Sequence, residues 1–178
     1  MLRITVGDFE FGARLEEEKA PNTVAALRGL LPLESKLVQA RWSGEAAWVP
    51  LGWELELGIG SENATSYPGP GELLLYPGGL SEVEILFPYG ATLFASKMGQ
   101  LAGNHFATIE AGWERLPELG NAVLWDGALE LRIRSPRERS LVREDRRAGA
   151  NRPVDSQKTR ARPGRRARRP SSAAPDQP

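Results

Sequence analysis

From Lys36 to Phe94 the chain falls into the short runs KLVQARW, AAWVPL, WELELGI, ELLLY, VEILF and ATLFA, separated by Gly, Pro and Asn. Runs of this length between turn residues read as strands, and a series of them makes a barrel or a sandwich rather than a helical bundle. In WELELGI the alternation puts Trp53, Leu55 and Leu57 on one face and Glu54 and Glu56 on the other. That is the pattern of a sheet with one buried face and one wet face. The expected class is therefore mostly β.

The flanking segments add a hairpin and short helices. LRITV and FEFGARL alternate apolar residues on either side of Gly7-Asp8, which predicts an opening hairpin. EEEKAPNTVAALRGLLP predicts a helix: Asn22 or Thr23 can cap it, Val24, Leu27 and Leu31 share one face, and Pro32 ends it. After Phe94 the sequence predicts a polar linker SKMGQLAGNH, a short helix AGWERLPELG, a strand NAVLW and a last strand DGALELRI.

A length of 178 residues suits one domain with a real core, and charge shows where that domain ends. Residues 1–130 hold 8 Lys and Arg against 18 Asp and Glu, a net charge of −10, whereas residues 131–178 hold 15 against 5, a net charge of +10. Beyond Arg134 large apolar residues nearly vanish. The reading is a folded domain over 1–133 and a disordered Arg/Pro-rich tail over 134–178. Within the tail, TRARPGRRARRP can contact nucleic acid, an anionic surface or the acidic domain, or can simply be solvated. The acidic domain itself is a poor partner for nucleic acid.

The chain has no cysteine and a single histidine, which leaves no disulfide, no thiolate and no convincing metal-ligand set. No metal and no cofactor are expected. No apolar stretch of signal-peptide or transmembrane length is present, so a cytoplasmic protein without a membrane partner is the default expectation. Whether the domain self-associates is left open.

Three segments, in order, resemble the cyclophilins: LEEEKAPNTVAALRGLLP, PGELLLYPGGLSEVEILF and WERLPELGNAVLWDGALEL. The stretch from Leu2 to about Leu131 resembles more closely still a family of small bacterial cyclophilin-like proteins with no established activity. RWSGEAAWVPLG, GSENATSYPGPGELLLYPGGLSEVEILFPYG and FASKMGQLAGNHFATI carry that match. The resemblance implies a cyclophilin-like closed β-barrel. Proline isomerases of this fold hold the peptide with an Arg from a Phe-His-Arg segment and a Gln/Phe strand. Arg41 stands near that Arg without the Phe-His, and Glu82 and Glu84 replace the Gln/Phe pair. The same fold resemblance extends to opine synthases of the cucumopine and mikimopine type and to Pictet-Spengler enzymes. It thereby implies a cofactor-independent condensation of an amino acid with an aldehyde or keto acid, as an analogy of fold. The alternatives are a peptidyl-prolyl isomerase and a non-catalytic interaction domain.

The candidate catalytic residues are Glu62, Tyr67, Glu82 and His105; the candidate substrate-binding residues are Arg41, Trp48, Glu84 and Lys97. His105 sits in polar, Gly-flanked AGNHF, where it can titrate near neutrality at a pocket rim or fasten a loop. Glu82 and Glu84 share a strand face, so they form an acid and base pair if that face lines a pocket, and a solvated edge if it does not. Glu62 and Tyr67 lie in the long polar loop GSENATSYPGPGE, a pocket lid or an ordinary connector. Arg41 can clamp a substrate carboxylate or pair with Glu45, and Trp48 can stack a substrate or join the core. Lys97 can bind a carboxylate. The expected partner is a small-molecule substrate.

Overall fold

In the computed structural model, which describes residues 1–135, alternating apolar residues along Leu2–Val6 (β1) and Phe9–Leu15 (β2) form the opening hairpin. Helix α1 (Pro21–Leu30) follows, then β3 (Leu33–Gln39), a single 3-10 turn at Arg41–Ser43, and β4 (Gly44–Gly52). A long loop carrying the two-residue strand β5 (Ala64–Thr65) leads to β6 (Glu72–Tyr76) and β7 (Val83–Thr92). The small hairpin β8 (Ala95–Ser96) and β9 (Gly99–Gln100) precedes β10 (Gly103–Ala111), a 3-10 turn at Trp113–Arg115, helix α2 (Leu116–Trp125) and β11 (Leu129–Arg134). The tail expected to be disordered lies, from residue 136 onward, outside the described residues.

Eight strands close on themselves in the order β2-β1-β11-β3-β4-β7-β6-β10, with β10 pairing back onto β2 and every pairing antiparallel. Closure leaves the barrel without free edges. Inward-facing residues such as Ile4, Phe11, Leu37, Val49, Leu75, Ile85, Phe106 and Ile133 fill the interior. Helix α1 plugs one end with Val24 and Leu27, and α2 plugs the other with Leu116, Leu119 and Val123. Side chains thus fill the barrel interior, and two clefts lie at its rims.

β6 is buried from Leu73 onward and β7 from Val83 to Pro88, because these stretches are covered on both faces. Leu74, Tyr76 and Leu86 point away from the interior into a second apolar cluster with Ala46, Phe94 and Leu101, closed by the segment that carries β8 and β9. Tyr76 meets the edge of Phe94 at 5.8 Å between ring centroids.

Three sequence expectations are corrected. Residues 53–60 form no strand; Leu55, Leu57 and Ile59 still pack toward the core and Glu54 and Glu56 still face water, but Trp53 is 69% exposed. The alternation there reports one-sided burial of an extended loop, not a hydrogen-bonded ladder. NAVLW is the second half of α2, whose buried Leu116, Leu119, Gly120 and Val123 keep helical spacing. AGNHF is no linker but the start of β10, the strand that closes the barrel; a bulge between His105 and Ala107 breaks its alternation.

Candidate binding clefts at the two ends of the barrel

The antiparallel order sends β3 and β7 toward the α2 end and β4 away from it. Residues at the ends of β3 and β7 and the start of β4 therefore meet α2 around a cleft of about 840 Å³. Its polar walls are Gln39, Arg41, Glu45, Tyr89 and Asn121, and Leu124 supplies apolar surface. Pro117, Asn121 and Leu124 share the outer face of α2, Gly120 lies buried at the border between the faces, and the opposite face plugs the barrel.

Two glycines shape this cleft. A side chain at Gly120 would overlap the Tyr89 ring, whose Cγ lies 2.9 Å from where the Cβ would stand, so the ring packs against bare helix backbone. The Tyr89 hydroxyl then donates to Gln39 Oε1 at 3.0 Å. A side chain at Gly90 would likewise displace Glu45, whose Cδ lies 2.7 Å from that Cβ position and whose Oε2 accepts from the Ala91 N–H at 2.6 Å. Arg41 makes no ion pair among the described residues, with Glu45 or any other carboxylate.

Gly120→Ala is expected to destabilise the protein by about 1 kcal/mol, and by no more than about 2. Forcing a methyl against a packed ring costs about 1–3 kcal/mol, which outweighs the gain of roughly 1 kcal/mol from replacing glycine within a helix. Urea unfolding checks this, and a variant more stable than wild type would show that the ring does not depend on the bare backbone.

The opposite end carries a smaller cleft of about 350 Å³, bordered by Trp53, Leu55, Glu56, Leu57, Glu82 and the turn Pro77–Gly79. Glu84 is next to Glu82 but on the outer wall, opposite Pro50 of β4 and Tyr76 of β6, and is only 6% exposed. Burial, and after it the charge of Glu82, pushes the Glu84 carboxyl up to about 7. No hydrogen bond or ion pair joins it to another described residue.

The remaining candidates lie apart from both clefts. Glu62 caps α1: its carboxylate accepts from the backbone N–H groups of Asn22 (3.2 Å) and Thr23 (2.8 Å) and from both their side chains. Burial raises its pKa, but these donors together bring it below the usual carboxylate range. The cap expected from Asn22 or Thr23 is supplied from the loop instead, because Pro21 opens the helix and Ala20 before it has no capping side chain.

His105 lies on β10, where its Nε2 is 3.0 Å from the Thr108 hydroxyl, which donates to Glu16 Oε1 at 2.8 Å. Burial raises the Glu16 pKa, but Arg14 at 2.9 Å and the Thr108 hydroxyl outweigh it and hold the carboxyl low. This group of residues fastens the β2–β10 seam and borders neither cleft. Tyr67 is 69% exposed in its loop, Lys97 stands in the turn between β8 and β9, and Trp48 packs half-buried on the outer apolar cluster.

Of the eight candidates the structure places Glu82 in the smaller cleft with Glu84 beside it, and Arg41 alone in the larger cleft. Gln39, Tyr89 and Asn121 were not singled out in the sequence, and Glu45 only as a partner for Arg41. The available signal was Tyr89-Gly90 following the apolar run Ile85–Pro88 of the strand, since glycine there marks close approach of another group.

Comparison with known proteins agrees with the architecture. The family described as "Protein of unknown function (DUF3830)" matches residues 2–134. Among solved structures the fold is similar to that of McbB in complex with tryptophan, at 18% identity and a TM-score of 0.60, over 76% of this chain and 45% of that one. It is also similar to the solution structure of the hypothetical protein AF2241 from Archaeoglobus fulgidus, at 20% identity and a TM-score of 0.50, over 75% of this chain and 92% of that one. This chain therefore spans less than half the length of McbB, and at these identities the likeness concerns fold alone. No curated protein matches the chain. Among the described residues, no helix is long and apolar enough to cross a membrane.

Proposed function

This chain belongs to the DUF3830 family, and we propose that it binds a small amino-acid-like molecule in the cleft beside α2. The observation that carries this reading is the Arg41 guanidinium, without an ion pair among the described residues, on the wall of the larger of the two rim clefts. A guanidinium so placed matches a ligand carboxylate bidentately. Glu45 on the same wall offers a negative charge for a ligand amine, and Leu124 with the Tyr89 ring offers apolar surface. The bound tryptophan of the structurally similar McbB supports a small-molecule ligand.

If the amine condenses with an aldehyde or keto acid, nitrogen and the carbonyl carbon form a C=N bond while the carbonyl oxygen leaves as water with two amine-derived protons. Ring closure then forms a C–C bond to that carbon, reduces C=N to C–N with nitrogen keeping one proton, and releases one ring proton. The group beside the bound amine that can take that proton is Glu45, with the Tyr89 hydroxyl as donor. Glu62, Tyr67, Glu82 and His105 are too dispersed to share that step.

Calorimetry with L-tryptophan and L-histidine is expected to show binding that weakens about tenfold or more in Arg41→Ala, the range for losing a charge-assisted pair. Equal affinity in the variant would remove the reading. Mass spectrometry with an added aldehyde or keto acid separates binding from turnover, since condensation yields the summed mass less one water. Proline test peptides are expected to isomerise at the uncatalysed rate.

A further inference from the structure

Carboxylates without partners gather at the end of the barrel opposite α2. Glu54 and Glu56 lie on the extended loop, Glu82 on the turn before β7, and Glu84 behind it, and no cation among the described residues pairs with any of the four. Beside them stands Trp53, 69% exposed on the rim of the smaller cleft. An aromatic face next to free carboxylates suits a guanidinium, which stacks on the ring and forks onto the acid.

The chain itself carries such groups. Residues 1–135 hold 10 Lys and Arg against 18 Asp and Glu, whereas residues 136–178 hold 13 against 5, so the described domain at −8 is balanced by +8 beyond it. β11 runs toward this same end, with Ile133 opposite Leu33 at the start of β3, so the chain leaves the barrel on the side of the acidic cleft. The order β11-β3-β4-β7 sets its exit three strand spacings from β7, about 14 Å. Thr159 follows Arg134 by 25 residues, a length that spans up to about 85 Å extended.

We propose that the segment Thr159–Pro170, TRARPGRRARRP, docks in cis on the cleft formed by Trp53, Glu56 and Glu82. Tethering makes the contact intramolecular, with an effective concentration on the order of millimolar. A dissociation constant of about 1 mM for the segment as a whole, from several Arg contacts acting together, thus suffices to keep the cleft half occupied at low salt.

The absence of cysteine allows one label to report the contact. A nitroxide on Ala167→Cys in the full ¹⁵N-labelled chain is expected to bring the Trp53 indole N–H and the Gly78 and Gly79 amide peaks to about half their intensity or less, an effect of tethering that persists on dilution with unlabelled chain. The peaks are expected to recover in about 0.5 M NaCl, where screening shortens charge interactions to about 4 Å, and in Glu56→Gln/Glu82→Gln with its amide dispersion intact. Uniform or absent broadening would overturn the proposal. So would broadening lost on dilution, which would assign the contact to a second copy, or broadening indifferent to salt and to the double substitution.

Discussion

Replacing Glu84 by Gln is expected to stabilise the protein by about 2 kcal/mol at about pH 8 and to leave it nearly unchanged at about pH 4. The sign follows from where the proton resides. Burial first, and Glu82 second, raise the folded-state pKa of Glu84 from 4.5 to about 7. Between those values the folded chain holds a proton that the unfolded chain has released, so stability is fully present below the lower pKa and is lost as pH rises through the upper one. A displacement of this size corresponds to about 3 kcal/mol. No fully enclosed side-chain oxygen among the described residues lacks a partner, so the unpartnered carboxyl still touches water. That contact reduces the figure to about 2 kcal/mol.

Gln keeps the shape and never ionises, so it removes the penalty at high pH and mimics the protonated acid at low pH. Urea unfolding of both proteins across the range isolates this group from Glu16 and Glu62, whose lowered pKa values act in the opposite direction as pH falls. A gain that is the same at both pH values would mean that Glu84 does not titrate between them.

The barrel was legible because its walls obey the period of two. Leu2, Ile4 and Val6, then Phe9, Phe11 and Ala13, face inward as their alternation requires. Where sequence and structure part, two signals compete. Residues 53–60 alternate without pairing, since one-sided burial needs only a core beneath the chain, whereas a strand needs a neighbour. Val123 and Leu124 read as strand over five residues but belong to a helical stripe visible only over ten. The candidate site was less legible. Arg41 could be singled out because the cyclophilin resemblance sets it near the peptide-holding Arg and Glu45 stands four residues on. Glu45, Tyr89 and Asn121 meet it only because β4, β7 and α2 converge, and nothing within each segment announces its neighbour. The histidine and Glu62 drew attention by residue type, and residue type does not separate chemistry from fastening.

That distinction makes Asn104 the most consequential polar side chain in the fold. It is 1% exposed at the start of β10, where its Nδ2 donates to Thr23 Oγ1 at 3.0 Å and to the Gly60 carbonyl at 2.9 Å, and its Oδ1 accepts from the Glu62 N–H at 3.0 Å. Through Glu62 the same network holds the first turn of α1, so strand, loop and plugging helix are joined by one amide. Asn104→Ala removes all three bonds, leaving the half-buried Glu62 N–H without its partner while the carbonyl of exposed Gly60 can turn to water, and is expected to cost about 2 kcal/mol, since a stranded group costs about 1–3 kcal/mol. Hydrogen exchange should then rise in α1 and in residues 60–63, while α2 and the Arg41 cleft at the far end keep their protection and ligand affinity, because distant sites act additively. A loss below about 1 kcal/mol would show that the amide is dispensable. Equal loss of protection at both ends would show that the two plugs unfold as one unit. If α1 loosens while the Arg41 cleft is untouched, the polar residues around the acidic end hold the barrel shut and leave recognition to the other rim.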